Sequence, residues 1–276
     1  MELECYKEHT KKLRHHVEQL TKEDIMLAFS GGVDSTLLLY LSCEAAKKSG
    51  KKVYAMTAKT TLHPMKEAKE AEKIANRAGA IFKIMEIDEL NSAGILENPK
   101  DRCYRCKKYI FSSIKREADM LGIKTIMDGT NEDDLHVYRP GIRALRELSI
   151  ISPLAESGMT KEEIRTMAEE YGLSVATKPS TPCLATRFPY GTQLTYEKMR
   201  QVEKGEEFLK SFGFYNVRLR VHDDIARIET DKEDFEQLLK HKEEIVKELK
   251  KIGYDYITLD LEGFRSGSMD KEEKGI

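Results

Sequence analysis

Neither sign of charge dominates this chain: 46 Lys and Arg stand against 48 Asp and Glu over 276 residues, a formal charge of −2. That balance excludes a global attraction to nucleic acid or anionic lipid, so any RNA contact would have to be local. Long apolar runs are missing as well. Stretches such as Leu37–Leu41 fall far short of the ~20 residues of a membrane span, and the first thirty residues are charged rather than signal-like. A cytoplasmic protein with no membrane partner is expected. Cysteine is scarce: Cys5, Cys43, Cys103, Cys106 and Cys183 are odd in number and too few to staple a chain of this size, which points to a reducing compartment. No internal repeat is present, and at about 150 residues per domain the length predicts two domains.

Apolar residues 25–29 form a short run ending at Ser30, and a helical pattern of Leu37, Leu38 and Leu41 follows a glycine pair. This reads as strand, tight turn, helix. The unit recurs: a strand over Val53–Ala58, a helix over Pro64–Ala78 with Gly79 placed to cap it, and a strand over Ile81–Ile87. A helix over about Asp101–Leu121, a strand over Ile123–Met127 and a helix opened by the capping box Thr160-x-x-Glu163 complete the first half. Strands alternating with helices imply a mostly parallel sheet covered on both faces. Three of the seven prolines then fall in 178–192, a stretch without period, which reads as an ordered loop between domains. Beyond it the pattern changes to a helix over about Thr195–Phe212, strands near Asn216–Val221 and Ile225–Glu229, a helix opened by Thr230-x-x-Glu233, and a last strand over Tyr256–Leu261. The expected domains are 1–186, α/β, and 187–276, a smaller α+β module, with a frayed tail over Asp270–Gly275.

Ser30-Gly31-Gly32-Val33-Asp34-Ser35 sits at the first strand-to-helix turn. Glycines let the backbone approach a phosphate, the N–H groups of the helix N-terminus attract it, and Ser30 and Ser35 add hydroxyl donors. Asp34 suits magnesium or loop ordering better than direct phosphate contact. The string is not a Walker A loop, since no G-K-[ST] follows. It resembles the PP-loop family of ATP pyrophosphatases, with the adenine nucleotide alpha hydrolase-like fold. The resemblance implies use of ATP, with Mg2+ expected from ATP chemistry alone: a carboxylate or amide-like oxygen attacks the α-phosphate, and an adenylate and pyrophosphate form. It also implies adenine against the end of the second strand, here Met56, Thr57 and Ala58. Ligands of open α/β sheets sit at the carboxyl ends of strands, which fits Ser30 and Gly129.

Cys103 and Cys106 share a helix start, where i, i+3 spacing puts both sulfurs on one face. Lys107, Lys108 and the helix N-terminus favour thiolates there. Cys183 lies in the proline-rich loop. Three thiolates can hold a [4Fe–4S] cluster and leave one iron open. A cysteine nucleophile or sulfur donor, or a zinc site with a fourth ligand, also suits these residues. Cys43 falls on the apolar side of its helix and reads as core, and Cys5 as a bystander.

Further strings accumulate: 128–134 (DGTNEDD), 138–141 (YRPG), 182–187 (PCLATR), 189–192 (PYGT) and 263–268 (GFRSGS). Together with the phosphate loop they resemble the LarE family, ATP-dependent sulfur transferases that make the pincer nucleotide of a nickel cofactor. The implied substrate is pyridinium-3,5-biscarboxylic acid mononucleotide, whose carboxylates become thiocarboxylates. Arg218 and Arg220 match the pair that binds the nucleotide phosphate, and guanidinium forks alternating on one strand face suit that task. Thr186 and Arg187 match residues beside the sulfur-bearing cysteine. Glu206 and Glu229 fall where the family has functional acids, although both could be ordinary exposed glutamates. Single-cysteine members sacrifice their sulfur, which would make Cys183 the donor. With Cys103 and Cys106 present the chain resembles the cluster-bearing branch, fed by a sulfide source, and a homo-oligomer is implied. The rival reading is a PP-loop tRNA thiolation enzyme with the same cluster, against which the absence of a basic stripe tells. A nucleotide-binding regulator with a zinc-holding C-x-x-C is the non-catalytic one.

Overall fold

Ile25, Met26 and Leu27 have no solvent exposure, as a central parallel strand covered on both faces requires. They form β1 (Ile25–Ala28), which pairs in parallel with β2 (Val53–Lys59) on one side and with β4 (Thr125–Met127) on the other. β3 (Ile81–Glu86) adds to β2, giving the order β3-β2-β1-β4. The computed structural model describes residues 3–60, 62, 66–137, 139–178, 182–265 and 268–269. Pro64, Tyr138, residues 179–181, residues 266–267 and the tail from Asp270, all part of the sequence reading, lie outside the described residues.

Two compact units divide the chain. The first comprises Met1–Gly94 and Asp101–Thr181, the second Ile95–Lys100 and Pro182–Ile276. In the first, α1 (Leu3–Leu20), α2 (Val33–Ser49), α3 (Lys66–Ala78) and α5 (Lys161–Glu170) share one apolar core with the sheet. On the other sheet face, α4 (Arg102–Met120) supplies Phe111, Ile114 and Ala118 against Met26, Met56 and Ile126. α2 is apolar almost all round because it lies inside this core; each fully buried leucine, such as Leu37 or Leu38, contributes up to about 1.5–3 kcal/mol.

The second unit contains α6 (Tyr196–Lys210), α7 (Lys242–Ile252) and a sheet of β5 (Val217–His222), β6 (Ile225–Thr230) and β7 (Tyr256–Leu259), in which β5-β6 is antiparallel and β6-β7 parallel. Residues 95–100 join it because Asn98 donates to the carbonyls of Phe188 and Pro189, and Leu194 N–H donates to Leu96 O. The division therefore sets 95–100 and 182–186 with the C-terminal unit.

The α/β architecture with a smaller α+β unit is as expected, and the Thr160–Glu163 capping box is present, each side chain accepting the other's backbone N–H. Some elements differ. Thr230 does not open a helix: it is the buried last residue of β6, paired with Val217, and the chain turns helical only at Lys232 after Asp231. A β-branched residue with a ladder partner is worth more there than as a cap. α1 was not expected; its apolar stripe, Tyr6, Leu13 and Val17, is thin among charges. β7 ends at Leu259, since Leu261 is exposed beyond it. Among the described residues no helix is long and apolar enough to cross a membrane.

Candidate functional site

The phosphate loop runs from the end of β1 into α2. Gly31 takes φ +72°, which an L side chain would resist. Gly32 occupies the cap position of α2 without a side-chain hydrogen bond, so the first N–H groups of the helix are available to a ligand. The hydroxyls of Ser30 and Ser35 lie 3.1 Å apart. Gly129, just after β4, closes against the loop: a Cβ there would meet the Ser35 backbone nitrogen at 3.0 Å.

Asp34 is held from two directions. Its Oδ1 accepts from Asn131 Nδ2 at 3.1 Å, and its Oδ2 pairs with the Lys161 ammonium at the start of α5. Lys161 escaped the sequence reading and Asn131 entered it only within the 128–134 string, without a role; the capping boxes that place them, Asn131 with Asp134 and Thr160 with Glu163, carried a local signal. Asp128, buried at the end of β4, accepts from Thr130 and Ser152 hydroxyls at 2.6 Å and faces Lys107 Nζ at 3.5 Å. Lys107 thereby ties the cysteine-bearing turn of α4 to the strand end beside the loop. Thr57 is buried and donates to Phe29 O at 2.8 Å, locking β2 to the end of β1, while Ala58 is half-buried.

Cys103 is exposed and Cys106 half-buried in the first turn of α4. The lysines expected to favour their thiolates are themselves engaged, Lys107 with Asp128 and Lys108 with Glu147 at 2.8 Å. No disulfide involves any of the five cysteines. Cys43 is core as expected, and burial pushes its thiol up to about 11 against the opposing charge of Lys47.

In the second unit Cys183 caps a turn of 3-10 helix, Leu184–Arg187. Arg187 organises that turn: Nη1 donates to the carbonyls of Pro182 and Cys183 at 3.2 Å and to the Thr186 hydroxyl at 2.8 Å, while Nε and Nη2 form a fork on Glu206 at 2.7 and 2.9 Å. Arg220 donates to Thr186 O and to Glu229, both at 2.9 Å, and Glu229 also accepts from Ser268 and Arg227. Glu206 and Glu229 are thus not exposed glutamates; they are 3% and 0% accessible, and Arg187, Arg218 and Arg220 are 1%, 8% and 4% accessible. The reason is mutual: Glu206 is desolvated because the Arg187 fork replaces its water, and Glu229 because Arg220, Arg227 and Ser268 do. Burial alone would raise the Glu206 carboxyl, but the Arg187 fork, the Leu219 N–H and the Arg218 charge outweigh it and hold it below the usual range.

Arg218 is the exception. Among the described residues it forms no ion pair; it donates to Val217 O at 2.7 Å and lies 5.2 Å from the centre of the Phe264 ring. Burial first, and then repulsion from Arg187, make its charged form unfavourable. Among the buried groups of this network three guanidiniums stand against two carboxylates, a surplus of positive charge complementary to an anion.

Comparison with known proteins adds the following. A PP-loop domain family model matches residues 5–180. The chain is 36% identical over 246 residues, 89% of its length and 88% of the relative's, to the pyridinium-3,5-bisthiocarboxylic acid mononucleotide synthase of Lactiplantibacillus plantarum. It is equally similar, 36% over 248 residues covering 89% and 91% of the two chains, to an uncharacterized protein of Synechocystis. Likeness to the tRNA-specific 2-thiouridylase of Rickettsia bellii is weaker, 24% over 57% of this chain and 52% of that one.

Proposed function

This chain belongs to the PP-loop domain family and, within it, to the LarE family of ATP-dependent sulfurtransferases, and on that footing we propose that it adenylates the carboxylates of pyridinium-3,5-biscarboxylic acid mononucleotide and converts them to thiocarboxylates. The observation that carries the reading is the surplus guanidinium charge around the Cys183 turn. Arg218, unpaired with any described carboxylate, supplies the fork a nucleotide phosphate needs, with Arg220 and Thr186 beside it. A charge-assisted bond of this kind contributes about 1.5–3 kcal/mol.

In the first half-reaction a substrate carboxylate oxygen attacks the α-phosphorus, the bond to the β-phosphate breaks, and pyrophosphate leaves. The N–H groups of 31–35 and the hydroxyls of Ser30 and Ser35 would hold the triphosphate, Lys161 would neutralise part of its charge, and Asp34 would serve Mg2+. Thr57, Ala58 and Gly129 would border the nucleotide. In the second, sulfide attacks the acyl carbon and AMP leaves with the carboxylate oxygen. AMP is a good leaving group, so positioning and charge neutralisation outweigh acid–base chemistry. Arg187, through Glu206, and Arg220, through Glu229, would position the Cys183 turn rather than move protons.

Soft thiolates in a C-x-x-C at a helix start suit iron–sulfur ligation: Cys103 and Cys106 are accessible in the first turn of α4. With Cys183 they would hold a [4Fe–4S] cluster, whose fourth iron supplies a place for a sulfide. If Cys183 instead gave up its own sulfur, each chain would act once. The tRNA reading is supported less, by a partial likeness and against a near-neutral charge. The test is anaerobic incubation of the purified chain with the mononucleotide, ATP, Mg2+ and sulfide. Mononucleotide-dependent pyrophosphate release, with the mass gain of oxygen-to-sulfur exchange, is expected; pyrophosphate release indifferent to the mononucleotide overturns the proposal.

A further inference from the structure

α1 brings Cys5 and His9 onto one face, four residues apart, and α5 presents Glu163 to them. The Sγ of Cys5 lies 3.5 Å from His9 Nε2 and 3.8 Å from Nδ1, and Nδ1 lies 3.1 Å from both carboxylate oxygens of Glu163. All three residues offer a ligand atom within 4.8 Å of the others. A thiol, an imidazole and a carboxylate from two helices are a donor set with no part in sulfur transfer as derived above.

We propose that Cys5, His9 and Glu163 form a binding site for a divalent ion of the zinc class, clamping α1 to α5. The edge between imidazole and carboxylate carries the argument. Tetrahedral zinc with bonds of about 2.3 Å to sulfur and about 2.0–2.1 Å to nitrogen and oxygen sets sulfur and nitrogen about 3.5 Å apart, and nitrogen and oxygen about 3.3 Å apart. The 3.1 Å between Nδ1 and each Glu163 oxygen is within a few tenths of an ångström of the second value, while Cys5 Sγ now lies nearer Nε2, at 3.5 Å, so the exposed cysteine side chain turns toward Nδ1 when the ion binds. Binding would release the thiol proton to solvent and leave the ring proton on Nε2, freeing the Nδ1 lone pair.

Two further features fit. Glu163 is almost fully buried and its Oε2 is already fixed by the Thr160 N–H at 2.9 Å, so the carboxylate is oriented in advance while Oε1 points to the imidazole. Gly158 gives the ring its seat: a Cβ there would come within 3.1 Å of His9 Nε2. The fourth position falls to water, Cys5 being exposed. The same carboxylate caps the turn that presents Lys161 to Asp34, so the ion would brace the element that faces the phosphate loop.

The test must separate this site from the other accessible thiols. In a full-length Cys103→Ser/Cys106→Ser/Cys183→Ser chain, Co2+ titration should saturate at one equivalent per chain, with a thiolate-to-cobalt charge-transfer band and the visible bands of a tetrahedral ion. Adding Cys5→Ser, which leaves the capping box untouched, or His9→Gln should abolish both signals, and the Zn2+-dependent rise in unfolding temperature should vanish with them. Weak binding without the charge-transfer band, or binding that survives both substitutions, overturns the proposal. Should the triple variant fail to fold, zinc content of the otherwise intact chain decides: Cys5→Ser lowers it by one equivalent if the site exists, and an unchanged content refutes it.

Discussion

Replacing Arg218 by Met separates binding from folding at the proposed anion site. The guanidinium is buried, has one backbone acceptor at 2.7 Å and a ring at 5.2 Å, and among the described residues has no carboxylate partner. The backbone hydrogen bond contributes about 1.5–3 kcal/mol and the ring contact about 0.5–2 kcal/mol. With these goes the attraction of Glu206 and Glu229; against them stand desolvation, the largest effect, and repulsion from Arg187 and Arg220, several kcal/mol per buried ion after relaxation. Met keeps most of the volume and removes the charge, so stability of the free protein should change by less than about 1 kcal/mol or rise. Arg187→Met is the contrast: it strips Glu206 of its fork and three acceptors on the Cys183 turn of their donor, at about 3–5 kcal/mol. For substrate, Arg218→Met loses one charge-assisted bond to phosphate, about 1.5–3 kcal/mol, or roughly 10- to 150-fold in Kd. Denaturant unfolding without nucleotide and calorimetric titration with the mononucleotide read the two quantities separately. If Arg218→Met unfolds as readily as Arg187→Met while affinity is unchanged, the arginine is structural and the anion-site argument fails.

Gly129→Ala should weaken ATP binding, because the new methyl meets the Ser35 backbone at 3.0 Å rather than a flexible side chain; the overpacking costs about 1–3 kcal/mol, checked by nucleotide titration with unfolding as control. Lys161→Ala should raise the KM for ATP and slow pyrophosphate release, since the ammonium paired with Asp34 is the one proposed to meet the triphosphate. Glu206→Gln tests the pH dependence. The carboxyl is held below its usual value, so its contribution is full above the ordinary carboxylate range and is lost as pH falls through the lowered value. The stability gap between parent and variant, about 3 kcal/mol at neutral pH, should therefore close in acid, as acid titrations of unfolding will measure. Cys103→Ser with Cys106→Ser should remove the iron absorbance of anaerobically purified protein and end multiple turnover; repeated turnovers without those thiols would sink the cluster reading.

What could be read from the sequence was what short-range chemistry determines. The phosphate loop is legible because glycine conformation, hydroxyl donors and the strand-to-helix turn all fall within six residues, and the Thr160 box because cap and partner are three apart. The partners of Asp34 were not legible: Asn131 and Lys161 lie 97 and 127 positions away, brought in by the topology of the parallel sheet. The burial of Glu206 and Glu229, read as functional acids that could equally be exposed glutamates, was not legible because helix and strand patterns register polarity, not whether a guanidinium from another element will take the place of water. Thr230 shows the limit from the other side, since a capping pattern lost to a strand ladder.

The near-zero net charge hides two local imbalances of opposite kind, and these make the functional argument physical. In the first unit the single loop carboxylate, Asp34, is shared between an amide and an ammonium, so positive charge and N–H donors are gathered where a triphosphate would enter, with one acid left over for its metal. In the second, Arg187 and Arg220 each have a carboxylate while Arg218 has none among the described residues. A desolvated cation with no carboxylate in contact is kept at a cost to stability, and stability surrendered locally is what a binding site looks like before its ligand arrives. Arg187 and Arg220 hold the Cys183 turn by its backbone, while Arg218, two residues from Arg220 on β5, is the guanidinium proposed to meet the anion. Arg220, which donates to Thr186 O and neighbours Arg218 on β5, is where the turn and the proposed phosphate site meet, so a substitution there should disturb both, whereas one at Arg218 should disturb binding alone.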